Sequence, residues 1–152
     1  MSSFARRTLI LTAAVLTGAA VLTGGAVVAS SAPEPASPAC AAATLRGTYL
    51  FAGDGWSLTG TGTVPLAFAG SEHFDGAGHV QGISSTNTNG VPSSHNAFTG
   101  VYTVAADCTG TLVIGGSLHF DLYLDPSGDS FVYVQTDHGA VSATTEHRAT
   151  RT

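Results

Sequence analysis

Glu72 is the residue of this sequence whose surroundings most favour acid–base chemistry. It belongs to an alternating run with Leu66, Phe68, Gly70 and Phe74. Residues that alternate along a strand share one face of the sheet, so this carboxyl group is expected among side chains that point inward. An apolar environment raises the pKa of a carboxyl group, which is what a general acid or base requires near neutral pH.

The residues expected to orient Glu72 lie on the following strand. Asp75–Gly78 has the composition of a tight hairpin turn. A turn of this length pairs Phe74 with His79 and Glu72 with Gln81. The predicted catalytic group is therefore Glu72, His79 and Gln81. In the alternative interpretation this end of the hairpin lies at a rim, where Glu72 is simply solvated.

The pattern of residues gives little support for a metal site, a nucleophilic catalytic site or a phosphate-binding site. His119 and Asp121 lie two apart on one strand face, but the six histidines are scattered singly and supply no third ligand at metal-site spacing. The sequence has no nucleophile elbow and no phosphate-binding glycine loop. We therefore predict no metal and no cofactor.

The stretch Ser117–Gln135 predicts the hairpin around which the core is built. Two alternating runs flank Asp125–Asp129, a turn-forming cluster. A five-residue loop pairs Leu124 with Ser130 and Leu122 with Val132. The aliphatic face, expected to be the interior, then carries Leu118, Phe120, Leu122, Leu124, Val132 and Val134, and the opposite face carries His119, Asp121, Tyr123, Phe131, Tyr133 and Gln135.

The rest of the chain after the N-terminal segment predicts strands and short turns without an amphipathic helix. The first strand is expected at Thr44–Ala52 and to end at Gly53–Gly55, while Thr86–Ser94 is expected to be the longest loop. About eight strands joined by short turns favour an all-β fold, a single antiparallel and mostly up-and-down β-barrel. The alternative is a β-sandwich that uses the long loop as its crossover.

The N-terminus has the pattern of a targeting segment. Arg6 and Arg7 precede an uncharged run that ends in small residues, which predicts a signal peptide over 1–32 and export by the Sec or the twin-arginine route. A retained membrane anchor is the alternative; with cleavage, no stable membrane insertion is expected. The predicted organisation continues with a flexible linker at 33–43, the barrel at 44–148 and a disordered tail at 149–152, in a secreted protein.

Charge and cysteine content limit the function further. The formal net charge is −5 and basic residues are not clustered in the body of the chain, which argues against nucleic acid as a partner. Cys40 and Cys108 are the two cysteines, and in an oxidising compartment an even pair predicts a disulfide.

Three segments carry a family resemblance: LRGTY at Leu45–Tyr49, FDGAG at Phe74–Gly78 and GVYTVAADCTGTL at Gly100–Leu112. They resemble a group of small, secreted and largely uncharacterised bacterial proteins, which is similar in turn to the barrels of the allene oxide cyclase-like and lipocalin-like superfamily. The resemblance implies a barrel whose interior binds a small hydrophobic molecule or catalyses cyclisation or isomerisation. No catalytic motif of the superfamily maps onto this sequence, so no residue role is transferred.

The leading functional hypothesis is a secreted barrel that binds a small hydrophobic molecule in its lumen. The alternatives are a cyclase or isomerase for a flexible apolar, polyketide- or lipid-like substrate and a structural or interaction module with a filled core. The sequence leaves open whether the protein is an enzyme and whether it forms a homo-oligomer. The predicted ligand-binding residues are Leu66, Phe68, Tyr102, Leu118, Phe120, Leu122 and Val132.

Overall fold

The structure, a computed structural model, describes residues 39–150. The predicted signal peptide and most of the predicted linker lie outside the described residues. Within the described part, no helix is long and apolar enough to cross a membrane.

The described chain folds into a closed barrel of eight antiparallel strands in sequence order. A short 3-10 helix at Ala42–Thr44 precedes them. Each strand pairs with the next one, and the last strand pairs with the first. The strands are β1 (Arg46–Thr59), β2 (Gly62–Asp75), β3 (His79–Thr88), β4 (Val91–Val104), β5 (Thr109–Ile114), β6 (Leu118–Leu124), β7 (Ser130–Gln135) and β8 (Ala140–Thr150).

The predicted eight-stranded all-β barrel is thus confirmed, whereas two predicted interruptions are wrong. β1 continues through Gly53–Gly55 instead of ending there. The expected loop at Thr86–Ser94 is a hairpin whose turn is Asn89-Gly90, with φ angles of 52° and 83°. Two consecutive residues with positive φ produce the turn type whose twist matches that of the flanking strands. No crossover remains for a sandwich among the described strands.

The predicted register of the β6–β7 hairpin is wrong by one residue. Leu124 pairs with Phe131, and Leu122 pairs with Tyr133. The connection is one residue longer than expected, and within it the Asp125 N–H donates to the Ser130 carbonyl. A slip of one residue turns every side chain of a strand to its opposite face. The inner face therefore carries Phe120, Leu122, Leu124, Phe131, Tyr133 and Gln135, whereas Val132 and Val134 are exposed on the outside.

The segment before β1 closes one end of the barrel. Leu45 is fully buried against the core, and Cys40 forms the predicted disulfide with Cys108. Part of the predicted flexible linker, residues 40–43, therefore belongs to the folded domain. The disulfide closes a loop with a sequence separation of 68 residues, for which the chain-entropy model gives a stabilisation of about 4 kcal/mol.

Arg148 connects the elements that meet at this closed end. Its guanidinium group donates to the carbonyl oxygens of Gly128, Thr44 and Arg46 and lies 3.2 Å from the Asp129 carboxylate. The guanidinium carbon also lies 4.7 Å from the centroid of the Tyr49 ring. One side chain of β8 thus joins the N-terminal segment, β1 and the β6–β7 loop.

Candidate functional site

The two halves of the barrel interior differ in packing. At the closed end, Tyr49, Phe74 and Phe131 contact one another with ring centroids 5.4–5.6 Å apart. Toward the opposite end the strands enclose a cavity of about 270 Å³. This cavity is the candidate functional site.

Four of the predicted ligand-binding residues line the cavity, together with Glu72. Phe68 and Phe120 contribute aromatic rings, and Leu66 and Leu118 contribute aliphatic groups. Phe51 and Phe98, which the sequence did not single out, add further rings to the wall. The lining is thus dominated by aromatic and aliphatic side chains.

The other three predicted ligand-binding residues do not line this cavity. Tyr102 is buried at the closed end, where its hydroxyl group lies 3.0 Å from the Ala42 carbonyl and 2.9 Å from the Leu45 carbonyl. Leu122 is fully buried in the packed core. Val132 was expected inside, but the corrected register places it on the outer face.

Glycines in the strands make room for the aromatic wall. A Cβ atom on Gly53 would come within 2.6 Å of the Phe68 ring, and one on Gly82 would come within 2.6 Å of the Phe98 ring. Each ring therefore occupies the space that a side chain on the neighbouring strand would fill. Such close ring–glycine packing gives the lumen wall a shape that larger residues at these glycines would destroy.

The barrel interior also holds two buried carboxyl groups, of which Glu72 lines the cavity. Glu72 on β2 is 3 % exposed, and Glu146 on β8 is 0 % exposed. Glu72 pairs with Tyr49 of β1, and Glu146 pairs with Phe51 two residues further along the same strand. The two glutamates therefore approach from either side of β1 toward the same part of the lumen. We call them the carboxyl pair.

Burial dominates the electrostatics of the carboxyl pair. It raises the pKa of Glu72 from its ordinary value of 4.5 to about 7, and contact with the Glu146 side chain acts in the opposite direction. Burial also raises the pKa of Glu146 well above 4.5, and the neighbouring charge of Glu72 raises it further. The pair therefore retains protons at pH values where exposed glutamates are ionised.

The oxygens of the pair have few partners. Glu72 Oε1 and both Glu146 carboxyl oxygens are buried without a hydrogen-bond partner of normal geometry among the described residues. The two carboxyl groups are close enough to affect each other's ionisation, as is the hydroxyl group of Tyr133. Burial raises the pKa of Tyr133 above its ordinary range, so this hydroxyl group stays protonated. An unsatisfied buried carboxyl oxygen is unfavourable unless a ligand or a proton compensates it.

The predicted neighbours of Glu72 are not its neighbours in the structure. Phe74 pairs with Val80 and Glu72 with Gly82, again one residue away from the prediction. The Asp75 carboxylate accepts hydrogen bonds from the N–H groups of Ala77 and His79, which extends the turn. His79 and Gln81 are consequently exposed on the outer face. The predicted group of Glu72, His79 and Gln81 is therefore wrong, although Glu72 itself faces inward.

A second polar group lies at the open end of the cavity. Ser142 donates to the Gln135 amide oxygen at 3.1 Å, and the Gln135 amide nitrogen donates to Asp137 at 3.0 Å. Asp137 also interacts with the His119 ring at 2.7 Å and accepts a hydrogen bond from the His119 N–H, the largest of the contacts that lower the pKa of Asp137 to about 2. His119 therefore belongs to this rim network.

Glu146 is a member of the site that no sequence pattern indicated. Its strand alternates Val141, Ala143 and Thr145 with Ser142 and Thr144, so simple patterning places the more apolar set inside. The structure shows the reverse, with Ser142, Thr144 and Glu146 all buried. The alternation of polar with small apolar residues shows that β8 has two different faces. Which of these faces points inward depends on how β8 pairs with β1 when the barrel closes.

No group of three or more His, Cys, Asp or Glu side chains within residues 39–150 is arranged to hold a metal ion. Comparisons with protein-family models, with curated proteins and with solved structures gave no significant match to this chain.

Proposed function

We propose that this protein binds a small, predominantly apolar molecule in the barrel lumen. The observation that carries the proposal is the cavity of about 270 Å³ lined by Phe51, Phe68, Phe98 and Phe120. Binding pockets are typically concave and apolar with a few polar groups that orient the ligand. Pockets for drug-sized ligands have volumes of roughly 300–1,000 Å³, so the volume favours a smaller ligand.

Two further observations bear on the barrel superfamily and the cellular location that we propose. The eight-stranded antiparallel barrel is consistent with the lipocalin-like architecture that the sequence motifs resemble. The Cys40–Cys108 disulfide is the form that cysteine pairs take in exported proteins. We accordingly extend the proposal to a secreted protein of that barrel superfamily.

Blocking the cavity mouth tests the proposal. Thr86 lines the cavity, and its neighbour Asn87 is exposed on the opposite face of β3. We expect Thr86→Trp to weaken the binding of a neutral, polarity-sensitive naphthalene dye by about tenfold or more, because the indole fills the space that the dye requires. Dye titration followed by fluorescence measures the effect.

Asn87→Trp is the matched control, since it adds the same side chain on the outer face. Equal affinity in the two variants and the wild-type protein would place the dye outside the lumen. The absence of saturable binding by the wild-type protein would favour the structural module instead.

The carboxyl pair favours a second candidate function, a cyclase or isomerase for a flexible apolar substrate. A lumen accelerates such a reaction by holding the substrate in a reactive conformation. Glu72 lines the cavity, and burial raises its pKa to about 7, which suits proton transfer near neutral pH.

Glu72→Gln tests the second candidate. With any substrate that the wild-type protein converts, we expect the turnover rate to fall by about 100-fold or more, the typical contribution of a positioned acid or base. Product formation is measured by chromatography and compared with Asp121→Asn, which removes one carboxylate from the outer face of β6. Undiminished turnover in Glu72→Gln would contradict an acid–base role for this residue.

A further inference from the structure

The carboxyl pair indicates which polar group the ligand carries. This inference rests on the proposed function, because it concerns the same lumen. An apolar ligand could be held by the aromatic wall alone, so the wall gives no reason for buried glutamates. Removing two carboxyl groups from water without partners is unfavourable. A ligand group that satisfies them would recover that free energy in the bound state.

We propose that the lumen binds a small lipophilic amine, with its ammonium group at Glu72, the member of the carboxyl pair that lines the cavity, and its apolar part against the aromatic wall. An ammonium group has hydrogen-bond donors only and carries a positive charge. Glu72 Oε1 and both Glu146 oxygens have no hydrogen-bond donor of normal geometry among the described residues, and their near neighbours are each other and the Tyr133 hydroxyl group. The ligand class and the protein groups are therefore complementary in both charge and hydrogen bonding.

The aromatic residues of the cavity support an amine independently of the carboxyl groups. Ring faces attract cations, and an environment that excludes water strengthens the attraction. Tyr133 lines the same cavity as Phe51 and Phe120, and its ring centroid is 5.1 Å from that of Phe120. A carboxylate in a cavity lined by aromatic rings is a favourable environment for an alkylammonium group.

The charged groups near the pair do not supply an internal substitute for the amine. Arg148 lies two positions beyond Glu146 on β8, but its guanidinium group bonds the carbonyls of the closed end. Tyr49 on β1 donates to the Gly128 carbonyl at 2.6 Å. Tyr133 on β7 is the third titratable group near the pair, and β3 presents Gly82 opposite Glu72. No lysine occurs in the sequence.

Because the carboxyl pair can ionise, the affinity for an amine is expected to depend on pH. An ammonium group interacts favourably with the ionised form of Glu72, whose pKa burial raises to about 7. Binding of the amine therefore favours loss of protons from the pair, and affinity for the amine rises with pH from 5 to 8 by linkage. A neutral ligand of the same shape lacks this dependence.

The test compares four ligands of similar size by isothermal titration calorimetry. They are phenethylamine, phenethyl alcohol, propylbenzene and hydrocinnamate, which carry a cationic, a neutral polar, an apolar and an anionic end. At pH 8 we expect phenethylamine to bind about tenfold or more tightly than the alcohol, as a charge-assisted hydrogen bond would provide. Its affinity should fall on acidification to pH 5. Its binding should release protons, which is detected by repeating the titration in buffers of different ionisation enthalpy.

Variants assign the effect to the carboxyl pair. Glu72→Gln and Glu146→Gln should each lose most of the preference for phenethylamine over phenethyl alcohol while still binding propylbenzene, which shows that the lumen remains folded. Asp121→Asn removes the same charge from the outer face and should keep the preference.

Each outcome decides the proposal. A preference for the amine that disappears in both glutamine variants supports it. If propylbenzene or phenethyl alcohol binds as tightly as the amine, the amine proposal is wrong and the lumen-binding function stands. A preference for hydrocinnamate would also overturn it. If no ligand binds the wild-type protein, both the inference and the proposed function fail.

Discussion

Replacing Glu72 with Gln is expected to stabilise the protein at pH 8 by about 3 kcal/mol. Burial raises the pKa of Glu72 from 4.5 to about 7, so at pH 8 the folded state must hold a buried charge that the unfolded state exposes to water. One pKa unit corresponds to about 1.4 kcal/mol. Gln has nearly the shape of a protonated Glu and carries no charge, so the variant avoids this cost. Urea unfolding at several pH values measures the difference.

The sign of the pH dependence follows from proton binding in the two states. Between about pH 4.5 and 7 the folded state binds more protons than the unfolded state, so the stability of the wild-type protein falls as the pH rises. Glu146 acts in the same direction, since burial also raises its pKa. Backbone hydrogen bonds lower the pKa of Asp75 and Asp137, and the stability that these residues contribute is lost as the pH falls through their folded-state values. Maximum stability is therefore expected near pH 4–5, between these two ranges.

Asp121→Asn is the control for the loss of one negative charge, because Asp121 is exposed on the outside of the barrel. The stability of Glu72→Gln should approach that of the wild-type protein near pH 4, where Glu72 is protonated in both states. A constant difference between these two proteins from pH 4 to 8 would contradict the buried environment described for the carboxyl pair.

Replacing Arg148 with Met is expected to destabilise the protein by about 3–5 kcal/mol. The change removes the donor that joins the carbonyl groups of Gly128, Thr44 and Arg46, of which the Gly128 carbonyl keeps the hydrogen bond from Tyr49. Hydrogen bonds from charged donors contribute roughly 1.5–3 kcal/mol each, and their removal leaves polar groups unsatisfied. The contact between the guanidinium group and the Tyr49 ring is lost as well. Urea or thermal unfolding measures the change in the free energy of unfolding.

Arg46→Met is the matched control, since Arg46 is exposed and precedes Tyr49 on β1. A surface substitution of this kind typically changes stability by about 0.5 kcal/mol or less. Arg148→Lys should lie between the two, because an ammonium group cannot reproduce the planar set of donors of a guanidinium group. If Arg148→Met is no less stable than Arg46→Met, the closed end does not depend on Arg148.

The sequence by itself determined the class of fold, because that information is local. Period-two alternation specified strands, and clusters of Gly, Asp, Asn and Pro specified short turns. Eight strands with short connections leave few arrangements that have no exposed edges. The pairing of Cys40 with Cys108 followed from their number and from the predicted compartment. The inward position of Glu72 followed from its alternation with Phe68 and Phe74.

Only the tertiary structure decided which residues meet inside the barrel. Asp75 and Asp125 each bond backbone N–H groups within their loops, and each connection is one residue longer than composition suggested. One residue is enough to exchange the faces of a strand. This slip moved His79 and Val132 to the outside.

Closure of the sheet into a barrel decided the contact between Glu72 and Glu146. Glu72 and Glu146 belong to the second and the last strand and are 74 residues apart in the sequence. They approach each other because β1 pairs with β2 on one side and with β8 on the other. No local pattern encodes this closure, since it depends on the twist and stagger of the whole sheet. The sequence therefore specified one carboxyl group of the pair, and the closed barrel supplied the other.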